Sequence, residues 1–241
     1  MTLDEVRKLH QRKHREASGC FLVEGEHLVL ELQKAALRDP RLRDSVLNVT
    51  RERQSWSGPF ALQVLSARQM AQISETRSPQ GIVARVPMLP AAGPTRGERA
   101  ICLCGIQDPG NLGTILRTLA WFGNLRCLLT PGSVDPYNAK AVRASLGALF
   151  HVPVEVDVPL ESLRGRFNRI ACLDMHGDGI EEPAFRGFDC YLFGSEARGL
   201  PREQVAALGA RPFGIRGAAA IESLNLAAAV NICVYELNRS R

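Results

Sequence analysis

The C-terminal part of the chain alternates between short apolar runs and longer stretches whose apolar positions have helical spacing. Apolar runs of this length, separated by helices, are typical of a parallel sheet that helices cover on both faces. We therefore predict a parallel α/β domain at residues 99–241. Its strands are expected at residues 101–104, 126–129, 152–156, 169–173, 190–193 and 212–215.

The N-terminal part has a shorter pattern of the same kind. Residues 20–24 and 63–66 are predicted strands, and residues 26–36 form a predicted helix with Leu28 and Leu32 on its apolar face. The pattern predicts a small α/β domain at residues 1–88.

A stretch rich in proline and glycine separates these two parts. Residues 87–97 contain three prolines and two glycines, and neither a helical nor an alternating pattern continues through them. We therefore expect a linker at residues 89–98.

Composition indicates a folded globular chain, since 45% of its 241 residues are hydrophobic and 23% are charged. The longest apolar runs fall far below the roughly 18 residues that a membrane span needs. The N-terminus has no apolar segment behind its charges, so it is not a secretory signal, and we expect a cytoplasmic protein without a membrane partner.

The seven cysteines are odd in number and scattered, which argues for a reducing compartment and against a disulfide framework. Cys102 and Cys104 share one face of a predicted strand, but a second pair of metal ligands is missing. We expect buried thiols and no metal site.

Positive charge is concentrated near the N-terminus of a chain with a net charge of +5. Residues 7–15 contain no acidic side chain, which permits either a phosphate-binding strip or an ordinary solvated helix face. The candidate RNA-binding residues in this stretch are Arg7, Lys8, Arg12, Lys13 and Arg15.

Ligand sites of parallel sheets lie beyond the carboxyl ends of the strands, and the loop after the first predicted strand is unusual there. Strong turn residues lead to Asn111, and a helix follows whose apolar stripe leaves Arg117 on the opposite face. In isolation Arg117 would be read as a solvated residue. No phosphate-binding loop or dinucleotide fingerprint follows any strand, which argues against a small-molecule enzyme of those classes.

Two later loops complete the candidate chemistry. Gly194 and Gly199 would let backbone approach a ligand closely, and Glu196 between them has no evident structural duty. In the third loop, Ser223 is a reasonable helix N-cap, and the amide of Asn225 needs a hydrogen-bond partner if it is buried.

Taken together, the three loops resemble those of the SpoU-type (TrmH-like) RNA ribose 2'-O-methyltransferases of the SPOUT class. Asn111 and Arg117 have the spacing of that family's first motif. The second and third motifs are matched by Gly194-Ser-Glu-Ala-Arg-Gly-Leu200 and Glu222-Ser-Leu-Asn225. Further likeness extends to Arg143-Ala-Ser145-Leu-Gly147, and to the ribosomal-protein-like RNA-binding domain of such enzymes at Phe21-Leu-Val-Glu24-Gly25 and Ser78-Pro-Gln-Gly81.

The resemblance implies a C-terminal domain with a deep trefoil knot that binds S-adenosylmethionine and forms a homodimer, with the active site at the subunit interface. Gly194, Ile215 and Leu224 would meet the cofactor. The third motif departs from the family because Arg216 stands where proline is common, so the resemblance defines the rim of the cofactor pocket less well than its floor. The residues implied to line the reacting site are Asn111, Arg117, Glu196, Ser223 and Asn225.

The implied reaction transfers a methyl group to a ribose hydroxyl, a poor nucleophile that must be aligned and lose its proton. Arginine hardly deprotonates in proteins, so we interpret Arg117 first as a bidentate clamp on an RNA phosphate and only second as a base. Ribosomal RNA is favoured over transfer RNA because of the N-terminal domain. A non-catalytic RNA-binding protein on the same fold and a transfer-RNA methyltransferase remain alternatives.

Overall fold

The computed structural model describes residues 1–76, 78–90, 93, 96–218 and 223–239. The chain divides into two compact units. Unit 1 comprises Met1–Pro90 and Asp135–His151, and unit 2 comprises Ala91–Val134 and Val152–Arg241. No helix among the described residues is long and apolar enough to cross a membrane.

The regular elements alternate between strand and helix through most of the chain. The helices are α1 (Leu3–Lys8), α2 (Arg12–Ser18), α3 (Glu26–Ala35), α4 (Ala67–Ile73), α5 (Pro109–Phe122), α6 (Ala139–Ser145), α7 (Arg202–Ala207) and α8 (Leu226–Asn238). The strands are β1 (Cys20–Glu24), β2 (Val46–Thr50), β3 (Ala61–Leu65), β4 (Ile82–Pro87), β5 (Arg99–Cys104), β6 (Leu125–Leu129), β7 (Val154–Glu155), β8 (Ile170–Gly179), β9 (Cys190–Gly194) and β10 (Arg211–Gly214).

Unit 1 contains a four-stranded sheet with the order β1-β4-β2-β3. Strand β4 is antiparallel to β1 and β2, whereas β2 and β3 are parallel. Leu22 of β1 packs with Val6 of α1 and Met70 of α4, and Phe21 points to the other face, where it meets Tyr137. The sheet is therefore covered on both faces at β1, whereas residues 61–64 of the edge strand β3 are exposed.

The segment 135–151 is part of unit 1, although the sequence pattern groups it with the C-terminal domain. Tyr137 lies with its ring centroid 4.7 Å from that of Phe21, and its hydroxyl donates a 2.9 Å hydrogen bond to the carbonyl of Leu89. Gly147 packs so closely on α3 that an added Cβ would lie 2.6 Å from the Cβ of Glu31. Burial of these groups explains why residues 135–151 pack within unit 1, although the residues before and after them in sequence belong to unit 2.

Unit 2 contains a six-stranded, all-parallel sheet with the order β10-β8-β9-β5-β6-β7. This result confirms the predicted parallel α/β domain. Helices α5 and α8 pack against each other, and α7 contributes Val205 to a core on the sheet. The predicted strand 169–173 is longer than expected, because β8 continues to Gly179 across a register shift opposite Pro212 and Phe213.

All seven cysteines are buried free thiols. Cys102 and Cys104 lie in the same core cluster, as expected for two residues on one strand face. Burial raises the pKa of the Cys127 and Cys233 thiols to about 12. A buried thiol that stays protonated at neutral pH is a poor nucleophile, and Cys127 and Cys233 act as small apolar core residues.

Arg15 is buried in unit 1 and does not belong to a solvent-facing basic strip. Its guanidinium donates to the Asp135 carboxylate, with Nη2 2.5 Å from Oδ2, and to the carbonyls of Leu9 and His10 at 2.8 Å. The acid-free sequence around Arg15 did not indicate this, because its acidic partner lies 120 residues further along the chain. Arg15 is corrected from a candidate RNA ligand to a structural residue.

We expect Arg15→Ala to lower the free energy of unfolding by about 2 kcal/mol, because it removes the guanidinium that donates to Oδ2 of Asp135 and to two buried carbonyl groups. The matched change Lys13→Ala removes an exposed cation from the same helix and should alter stability by less than about 0.5 kcal/mol. Urea unfolding of both variants tests this difference. Equal stability of the two variants would contradict the structural role of Arg15.

Candidate active site

The three loops singled out in the sequence begin at the carboxyl ends of strands of the unit 2 sheet. Strands β5 and β9 are neighbours, and Cys104 at the end of β5 is paired with Gly194 at the end of β9. The third loop leaves the end of β10 and leads to α8. Ligands of open parallel sheets bind at this edge, so the fold supports the choice of loops.

One polar side chain from each loop enters a single hydrogen-bonded chain. The amide nitrogen of Asn111 donates to Oε1 of Glu196 over 2.5 Å. The amide nitrogen of Asn225 donates to Oδ1 of Asn111 over 3.1 Å. We call Asn111, Glu196 and Asn225 the loop triad. The structure thus brings together three of the predicted reacting-site residues, which lie far apart in sequence.

The partners of the loop triad determine how each amide is oriented. A carboxylate only accepts hydrogen bonds, so Asn111 must turn its NH₂ group to Glu196 and its oxygen to Asn225. The oxygen of Asn225 then accepts from the backbone N–H groups of Ala227 and Ala228 at 2.9 and 3.2 Å. Asn225 is therefore the N-cap of α8, two residues after Ser223, the residue expected at that position.

Gly194 stands at the start of a very tight turn. Ser195 and Gly199 exchange two backbone hydrogen bonds, of 3.2 and 2.9 Å, and Gly199 has a φ of +63°. A Cβ on Gly194 would lie 2.3 Å from the carbonyl carbon of Gly199, a distance that real atoms do not adopt. The turn therefore requires glycine at 194, and it holds the backbone around Glu196 in place.

The other predicted cofactor residues flank the third loop. Ile215 directly follows β10 and is half-buried, whereas Leu224 is exposed. Glu222 of the third motif lies outside the described residues, as do residues 219–221. Ile215 and Leu224 thus provide apolar side chains immediately before and after residues 216–223.

Arg117 lies on α5, six residues after Asn111, and is exposed. Leu112, Ile115 and Leu119 form the buried stripe of the helix, as predicted. The structure does not include Arg117 in the loop triad, and its side chain forms no hydrogen bond or ion pair with any other described residue. Ser223 is also exposed. An exposed guanidinium less than two helical turns after Asn111 is available for an anionic ligand.

Two polar side chains near the site were not identified from the sequence. Gln107 donates from Nε2 to the carbonyls of Gly105 and Gly132 at 3.0 and 2.8 Å, which ties the first loop to the one after β6. The hydroxyl of Thr118 lies 2.5 Å from Oδ1 of Asn231 and joins α5 to α8 next to Arg117. An asparagine within the Ala- and Leu-rich α8 was the one available signal for the second contact.

The candidate RNA-binding residues of the N-terminal helices are mostly paired with acids. Arg7 and Lys8 both bind Asp4 at 2.7 Å, and Arg12 binds Glu16 at 2.7 Å. Exposed ion pairs of this kind are weak, so a phosphate can replace the acid. Within the described ranges, no group of three His, Cys, Asp or Glu side chains could hold a metal ion.

Comparison with known proteins defines the class. Residues 98–235 match the SpoU rRNA Methylase family, and residues 2–84 match the MRM3-like substrate binding domain. The first match covers more than half of the chain. The chain therefore belongs to the SpoU rRNA Methylase family.

Individual relatives share different parts of the chain. An uncharacterized tRNA/rRNA methyltransferase of Synechocystis is 31% identical over 98% of this chain and 90% of the relative. The 23S rRNA (guanosine(2553)-2'-O)-methyltransferase RlmP of Bacillus subtilis is 35% identical over 61% of this chain and 58% of its own length. The AdoMet-bound rRNA methyltransferase from Sinorhizobium meliloti has a TM-score of 0.82 at 25% identity, covering 99% of this chain and 94% of that one.

Proposed function

We propose that the protein transfers a methyl group from S-adenosylmethionine to a ribose 2'-hydroxyl of ribosomal RNA. The observation that supports this most strongly is the loop triad, which joins all three family motifs at the carboxyl edge of a parallel sheet. A relative named as a 23S rRNA 2'-O-methyltransferase supports the same reaction. A non-catalytic RNA-binding protein would have no need for this arrangement.

The residues at the sheet edge fit S-adenosylmethionine. The backbone of the tight turn at Gly194 has no side chain there, so a ligand can approach it closely. Ile215 and Leu224 add apolar surface for a flat aromatic group. These three residues would hold the cofactor, which supplies an electrophilic methyl group on a sulfonium when bound. Glu196 and Asn225 keep the two loops around it in a defined geometry.

Arg117 has the role of an RNA ligand in this proposal. Its planar guanidinium can grip the phosphate next to the target ribose with two parallel hydrogen bonds, and this aligns the hydroxyl for attack. Ser223 lies near the start of α8, where its hydroxyl can contact the same ribose. Arg117 as a base is the second choice, since a guanidinium gives up a proton very reluctantly.

The two family matches support the domain assignment that we propose. We assign residues 1–88 to RNA binding, residues 89–98 to a linker and residues 99–241 to methyl transfer, with the segment 135–151 built into the RNA-binding unit. Arg7, Lys8, Arg12 and Lys13 are the candidate phosphate ligands on α1 and α2. The match to an MRM3-like substrate binding domain and the relatives named as rRNA methyltransferase 3 favour ribosomal over transfer RNA.

The trefoil knot and the homodimer of the family are part of the proposal for unit 2. Helices α5 and α8 pack together and expose Trp121, Ile232 and Tyr235, with 86% of the Trp121 surface accessible. Trp121 lies one helical turn after Arg117, so a partner that covers this face would bring its own chain close to the reacting site. Seven free thiols fit a reducing compartment, and we propose the cytoplasm.

We expect the purified protein to sediment as a dimer, at twice the chain mass of 26.4 kDa. Replacing both Trp121 and Tyr235 with glutamate should give monomers, because charges are excluded from the centre of an apolar interface. Val156→Glu changes an exposed apolar residue elsewhere in unit 2 and should leave the dimer intact. A wild-type monomer with full methyl-transfer activity would contradict this part of the proposal.

Cofactor binding is the first experimental test of the proposed function. Calorimetry should detect S-adenosylmethionine binding without RNA, and Gly194→Ala should abolish it because the turn cannot close around a methyl group. Gly209→Asn is the matched control, since Gly209 follows α7 with a φ of +65°, asparagine tolerates a positive φ, and no atom lies within 4 Å of the added Cβ. Absence of binding by the wild-type protein at millimolar cofactor would favour the non-catalytic alternative.

A further inference from the structure

Leu146 in unit 1 is both strained and exposed. It ends α6 in the left-handed region, with a φ of 47° and a ψ of 39°, a conformation that bulky side chains rarely adopt. Its side chain is nevertheless 45% accessible, so burial does not compensate for the strain. A strained bulky residue with nearly half of its surface exposed indicates a role toward something else.

The neighbouring surface of α3 has the same mixed character. Its buried side holds Leu28, Val29 and Leu32, and the opposite stripe exposes Leu30 and Lys34. Beyond the end of the helix the stripe continues with the exposed side chains of Leu37 and Arg38. Two exposed leucines and two cations thus lie along one side of a single helix and its end.

Leu146 and the α3 stripe form one surface. Gly147 rests directly on the side chain of Glu31, which holds the adjacent Leu146 beside α3. His151 lies in the same region. Burial and then the positive charges of Arg38 and Lys34 lower the pKa of its imidazole, whereas the negative charge of Glu31 raises that pKa. We call Leu30, Lys34, Leu37, Arg38 and Leu146 the α3 surface.

Positive charge dominates around the α3 surface. Residues 34–43 contain four Lys or Arg side chains and one acid, Asp39, which pairs with Arg41 at 2.7 Å. Glu31 pairs with Lys34 at 2.7 Å. Arg43 donates to the carbonyl of Ala36 at the end of α3. The exposed cations complement a polyanion, and the exposed leucines suit unstacked bases.

We propose that the α3 surface is a second RNA-contact site, at which Leu146 packs against an unpaired base and Lys34 and Arg38 bind flanking phosphates. The inference rests on the proposed function, since it assigns this site to the substrate RNA. The surface lies on the face of the sheet where Phe21 meets Tyr137, opposite to α1 and α4. RNA that binds here therefore contacts a different face from α1, which bears Arg7 and Lys8.

The sharpest test is Leu146→Gly, measured in the full chain with in vitro-transcribed large-subunit ribosomal RNA as the probe. Glycine adopts the left-handed region freely, so the melting temperature should stay unchanged or rise. RNA affinity should nevertheless fall by about tenfold if the leucine packs against a base. A variant that is more stable and binds RNA as tightly as wild type would overturn the proposal.

The charge contribution is tested with Arg38→Ala against Arg68→Ala. Arg68 is exposed on α4, on the opposite face of the sheet. The Arg38 variant should bind RNA more weakly and reduce the slope of log affinity against log salt by about one unit, whereas the Arg68 variant should match wild type. Equal slopes for the two variants would overturn the proposal.

Cofactor calorimetry separates this inference from the proposed function. Leu146→Gly and Arg38→Ala should both bind S-adenosylmethionine as the wild type does, because neither residue belongs to unit 2. If the wild type binds RNA through this surface but transfers no methyl group, the proposed reaction fails and the RNA site stands. If methyl transfer occurs and both variants keep wild-type RNA affinity, the RNA site fails and the reaction stands.

Discussion

Arg117→Lys and Arg117→Ala are both expected to slow methyl transfer by about a hundredfold or more under single-turnover conditions. The guanidinium presents two parallel N–H groups to a phosphate, and the lysine ammonium keeps the charge but cannot reproduce that two-point geometry. Arg117 is exposed on α5, opposite the buried stripe of the helix, so shortening it does not open the core. Melting temperature and cofactor affinity should stay near wild type.

A conservative change elsewhere in unit 2 provides the control for Arg117. Arg202 is exposed at the start of α7, and Arg202→Lys should leave the rate unchanged. A nearly fully active Arg117→Lys variant would remove the bidentate clamp, since charge alone would then suffice. A fully active Arg117→Ala variant would remove Arg117 from the mechanism altogether.

The second large effect is expected at the loop triad. In the wild type the amide nitrogen of Asn111 lies 2.5 Å from Oε1 of Glu196. Asn111→Asp replaces this amide with a carboxylate, so two negative charges face each other at the same place. The loops must then move apart. A displacement of about 1 Å at a reacting site costs about a hundredfold in rate, which is the loss we expect at neutral pH.

The direction of the pH dependence follows from the same contact. When the pH falls, one of the two facing carboxyl groups binds a proton and becomes a donor, so the missing hydrogen bond is restored. The activity of Asn111→Asp relative to wild type should therefore rise toward acidic pH. A pH-independent ratio would show that charge repulsion is not the cause of the loss.

A second substitution in the same pair tests the contact itself. In the double variant Asn111→Asp with Glu196→Gln, the glutamine amide donates to the new carboxylate, and Asn225 still finds an acceptor at position 111. Activity at neutral pH should recover to within about tenfold of wild type. A double variant as poor as the two single variants combined would mean that the residues act independently and that the triad is not a unit.

Apolar patterning was sufficient to predict most of the parallel sheet. The runs 101–104, 126–129 and 190–193 became β5, β6 and β9, because central parallel strands are buried on both faces and so appear as continuous apolar segments. The far end of β8 was missed because residues 174–178 are mostly polar and exposed, and even Met175 is 70% accessible. Pairing with β10, across a register shift, keeps that stretch extended.

The remaining features could not be predicted from the sequence, because they depend on contacts between residues that are far apart in the chain. Nothing near Tyr137 in the sequence indicates that its ring meets Phe21, so the segment 135–151 could not be assigned to unit 1 in advance. In the same way, the burial of Arg15 could not be predicted, because its partner Asp135 lies 120 residues later in the chain. The members of the loop triad were identified from the family motifs, but their mutual bonds require the adjacency of β5 and β9.

The most direct test of the proposed reaction is to locate the methyl group on its product. Large-subunit ribosomal RNA incubated with the full chain and S-adenosylmethionine is digested and examined by mass spectrometry. We expect one nucleotide whose ribose 2'-oxygen has gained a methyl group and whose 3' linkage resists alkali, and no such product with Arg117→Ala. A methyl group on a base, or no transfer by a wild-type protein that binds both RNA and cofactor, would contradict the account.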